Sequence, residues 1–317
     1  MKVRVLYHDH CFDGAASAAY FSRFLKETRH PEAEYSYRGM AHTADQLFAD
    51  SMFDGDVNAI VDFKYSSNPK LTWWFDHHQS AFLTPEDSEH FHGSHNPLHF
   101  FDSGYRSCTK FIRDIVREQF GYEAPDLEDL VKWADIIDGA QYANPKEAVE
   151  LKAAATKLVL VIEASRGSEM VQNIIRAMQE QPLEEIIAQP DIAAVFEPLY
   201  QRHMRSIDVI GAKAKTENGV IFFDLVGDDL EGYNKFVPYY LFPDSTYTVS
   251  VSESTFRTKV SVGSSPWAIK VDHNLASICE RYGGGGHPRV GAISFPVGAI
   301  DAARKAASEI VTELRGL

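Results

Sequence analysis

The apolar positions of this chain change their spacing along its length. Over the first eighty residues they come as short unbroken runs, at 3–7, 59–61 and 71–75. Runs this short, bounded by polar or turn residues, predict strands buried on both faces. Each run stops at an acidic or histidine residue: His8, Asp62 and Asp76. After Asp13-Gly14 a small-residue stretch, 15–21, predicts a helix whose alanines allow close packing on a sheet. Residues 103–120, closed by Gly121, and 126–139 read as amphipathic helices. From Pro145 to about Lys213 the spacing stays helical, with breaks at Gly167, Pro182 and Pro190. Alternation returns at 220–226, 247–251 and 256–262, which predict strands. A helix is expected over 274–282, a strand over 292–295, and a last helix from about Ala299 onward.

This order predicts an α/β fold class, with an N-terminal parallel-sheet domain over 1–185 and a linker helix over 186–213. A smaller α+β domain is expected over 214–317. A length of 317 residues is enough for two cores. No apolar run reaches membrane-spanning length, so no membrane partner is expected. The chain enters its first strand directly, so no leader peptide is expected, and a cytoplasmic location follows. Cys11, Cys108 and Cys279 are odd in number and far apart, which excludes a disulfide framework and a zinc module. The formal charge of −14 argues against a protein that coats long nucleic acid. It leaves room for a small anionic substrate, because bound cations set the local sign of a site.

Three strand ends carrying Asp or His point to one site, since parallel sheets bind ligands outside the carboxyl ends of their strands. Buried carboxylate and imidazole groups need partners or a metal, so a carboxylate–histidine metal site is the favoured reading. Asp135 and Asp138 lie three residues apart on one helical face, and either could complete it. His90, His92, His95 and His99 fall among Gly93, Asn96 and Pro97, which predicts a solvated loop, and no ligand is assigned there. The run Gly283-Gly284-Gly285-Gly286 costs backbone entropy. Followed by His287 and Arg289, it predicts a backbone cradle for an anion rather than a plain hairpin loop.

Asp76-His77-His78 after an apolar run, an upstream His8…Asp13-Gly14 turn, the isolated Asp62 and a distal Gly284-Gly285-Gly286-His287 occur here in an order that resembles the DHH phosphoesterase superfamily. The resemblance covers nearly the whole chain. It is nearest to the compact branch of oligoribonucleases, dinucleotide phosphodiesterases and exopolyphosphatase-related proteins. It implies an N-terminal DHH domain followed by the family's associated substrate-binding domain. His8 and Asp13 are then expected as ligands in the first motif, Asp62 as a bridge between two divalent ions, and His77 as a ligand of the second. Asp76 would orient its neighbours and His78 would face the scissile phosphate. The family's further Asp corresponds to Asp135 or Asp138. Gly284, Gly285, Gly286, His287 and Arg289, with Arg257 in support, would bind substrate. One position departs from the family: Cys11 stands where many members have Asp, so the first subsite is expected to be altered, weaker, filled by Cys11 as a further ligand, or helped by Asp9 or His10.

The leading expectation is a manganese-dependent hydrolase, with magnesium as the alternative ion. It would cut phosphodiester bonds of short single-stranded oligonucleotides or linear dinucleotides, as a monomer or a homodimer. The alternatives are a polyphosphatase or pyrophosphatase, and a nucleotide-binding sensor with weakened catalysis, the latter motivated by Cys11.

Overall fold

A computed structural model describes residues 1–41, 48–165, 169–230 and 232–316. The break expected at Gly167 lies outside the described residues. The chain divides into two compact units, one of residues 1–141 and 152–197, the other of residues 142–151 and 198–317.

In the first unit β1 (Lys2–His8) leads into α1 (Phe12–Thr28), then β2 (Glu34–Met40), β3 (Val57–Val61) and β4 (Leu71–Asp76). Next come α2 (Pro85–Ser94), β5 (His99–Phe101), α3 (Cys108–Phe120) and α4 (Glu128–Asp138). The five strands form one sheet in the order β2-β1-β3-β4-β5, and every pairing is parallel. The unbroken apolar runs are explained by burial on both faces. Val3, Val5, Tyr7, Ala59, Val61, Trp73 and Phe75 join the core under α1 and α3. Leu6, Ile60, Leu71 and Trp74 join a second cluster with Phe63 and Tyr65 on the opposite face. Fully burying side chains of this size stabilises by roughly 1.5–3 kcal/mol each.

The helices α1, α3 and α4 form in the expected stretches, but α1 begins earlier, at Phe12, so Asp13 sits in its first turn, and α3 begins later than residue 103, at Cys108 after the cap Ser107. The histidine-rich stretch is not a loop. Residues Pro85–Ser94 form a helix capped by Thr84, whose side chain accepts from the Asp87 N–H, with Pro85 in the first turn.

Along the chain follow α5 (Pro145–Val149), α6 (Ala154–Ala164), α7 (Glu169–Met178), α8 (Leu183–Ile187) and α9 (Pro190–Lys213). The unit boundary falls inside α9, next to Pro198, which removes one helical donor. Residues 142–151 belong to the second unit because its side chains hold their carbonyls. His203 Nε2 lies 2.8 Å from Val149 O, Asn234 Nδ2–H donates to Ala148 O, and Trp267 Nε1–H donates to Tyr142 O.

The second unit contains β6 (Lys215–Glu217), β7 (Val220–Asp224), α10 (Val237–Leu241), β8 (Tyr247–Glu253) and β9 (Thr258–Ser264). It closes with α11 (Leu275–Glu280), β10 (Gly285–His287), β11 (Val290–Phe295) and α12 (Ile300–Leu314). Its six-stranded sheet has the order β10-β11-β9-β8-β7-β6, antiparallel except for β7 with β8. No described helix is long and apolar enough to cross a membrane.

Candidate metal centre

The strand order of the first unit decides where its chemistry gathers. The chain steps from β1 outward to β2, then returns past β1 to β3, so the order reverses between β1 and β3. A doubly wound sheet opens its crevice at such a reversal. The residues that leave β1, β3 and β4 are His8, Asp62 and Asp76-His77-His78. They converge there.

Asp62 lies at the middle. It is 1% exposed, and its backbone is left-handed with φ 57°. That conformation is uncommon outside glycine and is tolerated best by Asn and Asp. Its N–H donates to Phe75 O, and the Trp74 indole N–H donates to Phe63 O, so β4 clamps the turn that carries it. One carboxylate oxygen, Oδ2, lies 3.4 Å from His8 Nδ1; the other, Oδ1, lies 3.2 Å from His77 Nε2 and 3.9 Å from His78 Nδ1. Despite its burial, His77 and His8 hold the Asp62 carboxyl below its ordinary range.

His77 is oriented by the backbone. Its Nδ1 lies 3.1 Å from Tyr105 O, and a donated N–H there turns Nε2 toward the carboxylates. Around Nε2 stand Asp62 Oδ1 at 3.2 Å, Asp138 Oδ2 at 3.6 Å and Asp13 Oδ2 at 3.8 Å. Burial opposes a charge on this ring, yet Asp62, Asp13 and Asp138 raise its pKa to about 10.

Asp13 is wholly buried and is held by the first turn of α3. Its Oδ2 accepts from Cys108 N–H at 2.6 Å; its Oδ1 accepts from Thr109 N–H at 3.0 Å and the Thr109 hydroxyl at 2.6 Å. The helix N-terminus thus neutralises part of its charge. Burial, Asp62 and Asp138 still push its carboxyl well up. Gly14 makes this contact reachable, because α1 starts against the end of β1: a Cβ at Gly14 would stand 2.0 Å from His8 O.

Asp76 is completely buried and acts on its neighbours. Its Oδ1 accepts from the His77 N–H at 2.8 Å and the His78 N–H at 3.2 Å, and lies 2.7 Å from His78 Nδ1. His78 is partly exposed. Burial lowers its pKa, but the Asp76 hydrogen bond and Asp62 outweigh that and raise it.

Of the two aspartates on α4, Asp138 reaches the cluster. Asp135 belongs to none of the donor groups among the described residues, and the structure does not bring it to the site. Asp138 sits at the C-terminal end of α4, where the helix dipole disfavours a carboxylate. Burial and Asp62 push its pKa up to about 6. Cys11 also arrives: its Sγ is 3.8 Å from Asp138 Oδ1. Burial and the charge of Asp62 push its thiol well up. Asp9 and His10 belong to none of the donor groups among the described residues.

The donors fall into three overlapping sets, His8–Cys11–Asp62, Asp62–His77–His78 and Asp13–His77–Asp138, each with its ligand atoms within 4.8 Å of one another. They fit divalent cations. Asp62 Oδ1 and His77 Nε2 are buried and face each other without hydrogen-bond geometry. Three carboxylates crowd one imidazole, and two of them are displaced upward, so the cluster lacks positive charge. Mixed oxygen and nitrogen donors suit manganese or magnesium.

The glycine run of the second unit is not an open cradle. Gly285–His287 is edge strand β10, paired with β11. A Cβ at Gly284 would stand 2.2 Å from Ala292 O, and one at Gly286, where φ is 153°, 2.2 Å from Val290 O. Close approach of the partner strand therefore accounts for both glycines. His287 is exposed at the end of β10. Arg289 is exposed and donates to Ser265 O. Arg257 precedes β9 rather than lying on a strand; it stacks 5.0 Å from the Phe256 ring, with a 3.4 Å contact to Ser294 Oγ. The anchors of the site, Thr109 and the Tyr105 carbonyl, have no signal of their own in the sequence; a threonine in a first helical turn reads as an ordinary helix start.

No family model and no curated protein sequence matches the chain. Solved structures do. A pGpG-specific phosphodiesterase from Vibrio cholerae is similar over 100% of this chain and 99% of its own, with 17% identity and a TM-score of 0.73. An exopolyphosphatase-related protein from Bacteroides fragilis is similar over 99% of this chain and 92% of its own, with 14% identity and a TM-score of 0.52. RecJ from Thermus thermophilus, solved with Mn2+, is similar over 98% of this chain but 52% of its own, with 14% identity and a TM-score of 0.55. The chain shares the fold of these three structures.

Proposed function

We propose that the chain is a divalent-metal-dependent phosphoesterase that hydrolyses the phosphodiester bond of linear dinucleotides or short oligonucleotides. The observation that carries this reading is Asp62, whose two oxygens turn to different donor sets, His8 on one side and His77 on the other. Such a carboxylate would be shared between two ions if both bind. His8, Cys11 and Asp62 would hold one, and Asp13, His77, Asp138 and Asp62 the other, with manganese the expected occupant. When bound, the ions supply water activation and charge neutralisation at the phosphoryl group. The protein's own part is positional. Asp76 fixes the ring of His78 through Nδ1, which leaves the other nitrogen to donate to a phosphoryl oxygen or a leaving alkoxide. His287, Arg289 and Arg257 of the second unit are proposed as contacts for a substrate phosphate.

The similarity to a pGpG-specific phosphodiesterase over both full chains supports a dinucleotide as the first substrate to try. The test strips the protein with chelator, restores manganese, and follows release of mononucleotide from linear dinucleotides and short oligoribonucleotides, with polyphosphate as competitor. Manganese-dependent mononucleotide release that is lost in Asp62→Ala is expected. Absence of release from every nucleotide substrate, or phosphate release from polyphosphate alone, would overturn the reading.

A further inference from the structure

Cys11 occupies the N-cap position of α1, where a side chain ordinarily accepts from the helix's first N–H groups. Its side chain makes no such bond. Instead Sγ lies among donors from two other elements, with His8 and Asp62 in one set and Asp138 Oδ1 at 3.8 Å. A second feature marks the place as a ligand site: Asp62, 1% exposed, turns Oδ2 to His8 at 3.4 Å in this set, while its Oδ1 is buried without a hydrogen bond in the adjoining His77 set. Cys108 and Cys279 have no such setting. Cys108, the first residue of α3, is buried with its thiol against Phe75 O, and Cys279 packs in the core of the second unit.

The two ends of the site therefore differ in chemistry. Asp13, His77 and Asp138 offer oxygen and imidazole, a set suited to hard cations, whereas His8, Cys11 and Asp62 offer sulfur, imidazole and one carboxylate. Sulfur donors shift preference toward thiophilic ions such as zinc, cobalt and ferrous iron.

We propose that Cys11 is a thiolate metal ligand and that it makes the His8–Cys11–Asp62 subsite selective for a thiophilic divalent cation, while the Asp13–His77–Asp138 subsite keeps a hard one. The inference rests on the metal-centre reading above and specifies how its two halves differ. On binding, the Cys11 S–H bond breaks, its proton leaves to buffer, and the sulfur lone pair forms the bond to the cation. No electron changes hands. Binding at this subsite thus releases a proton and protects one thiol.

The experiment titrates chelator-stripped full-length protein with Co2+ and reads absorption. The expected result is a near-ultraviolet sulfur-to-cobalt charge-transfer band beside the visible cobalt bands, with the near-ultraviolet band lost in Cys11→Ser and kept in Cys279→Ala. In the parent protein, without any variant, Zn2+ should also slow alkylation of the accessible thiol by iodoacetamide by about tenfold or more. Cys11→Asp is expected to move zinc-over-manganese preference toward manganese by about tenfold or more. Visible cobalt bands without the charge-transfer band, or alkylation unaffected by Zn2+, would overturn the role of Cys11 and leave the metal centre standing. No cobalt and no manganese bound at any concentration would overturn the metal centre itself.

Discussion

Replacing Gly14 by alanine sets two physical effects against each other. Helix propensity favours alanine over glycine by about 1 kcal/mol in a helix interior. Gly14 lies in the first turn of α1, wholly buried, with an ordinary helical backbone. Propensity alone therefore predicts a more stable protein. Packing predicts the reverse. The added Cβ would stand 2.0 Å from His8 O, 2.9 Å from His8 C and 3.1 Å from His8 Cβ, where ordinary contact begins near 3.4 Å. The nearest obstacle is a backbone carbonyl at the end of a central strand, which has no rotamer to change. The start of α1 and the end of β1 must part by more than an ångström. Overpacking of this kind costs about 1–3 kcal/mol, and an immovable neighbour places it at the upper end. Net of propensity, the first unit should lose about 2 kcal/mol, a fall in its unfolding temperature of about 4–8 °C. His8 and Asp13 flank the contact and move with it, so the donor sets spread. Displacements near 1 Å cost about a hundredfold in turnover. The assay is thermal unfolding of chelator-stripped Gly14→Ala beside Gly93→Ala, followed by manganese titration of both. Gly93 lies in α2 with nothing within 4 Å of a built Cβ, so the same change there should be neutral or stabilising. A Gly14→Ala protein as stable as the parent, with undiminished manganese affinity, would refute the reasoning.

Three further outcomes are expected. Thr109→Val keeps the shape but deletes the hydroxyl that donates to Asp13 Oδ1 at 2.6 Å; metal-free unfolding should show a loss of about 1–3 kcal/mol, and an unchanged midpoint would sink the anchoring role. Trp74→Phe keeps an aromatic ring but deletes the indole donor to Phe63 O and some buried volume; a stability loss of about 1–3 kcal/mol with weaker manganese binding is expected, and unchanged binding would show that the clamp on Asp62 is dispensable. Burial holds His99 near a pKa of about 4, against an ordinary 6.5. Between these values the unfolded chain binds the extra proton, so stability rises with pH and is lost as pH falls from 6.5 toward 4. His99→Gln should flatten that part of the curve relative to the parent, and parallel curves would contradict it.

Much of the first unit was legible from residue order because buried parallel strands write themselves as continuous apolar runs. The ends of β1, β3 and β4 could be read to within a residue or two, and so could the polar groups that follow them. Other parts were obscured by local composition. The glycine, asparagine and histidines around 90–99 read as a loop, although Thr84-Pro85-Glu86-Asp87 carries a helix-start signature. The run from Gly283 to Gly286 read as a ligand cradle, whereas close contact with β11 already requires small residues at Gly284 and Gly286.

By itself, then, the chain determined which chemical groups stand at strand exits and that they are carboxylates, imidazoles and one thiol. Periodicity is a property of each element alone, so it carries that information without the fold. The tertiary structure decided which of those groups meet. The order β2-β1-β3-β4-β5 sets the exits of β1, β3 and β4 side by side, and the end of α4 brings in Asp138 but not Asp135. Three residues apart on one helical face, the two aspartates are equivalent to any local argument. Only the packing of α4 against α1 and α3 separates them, because a side chain's neighbours are set by contacts far away in sequence.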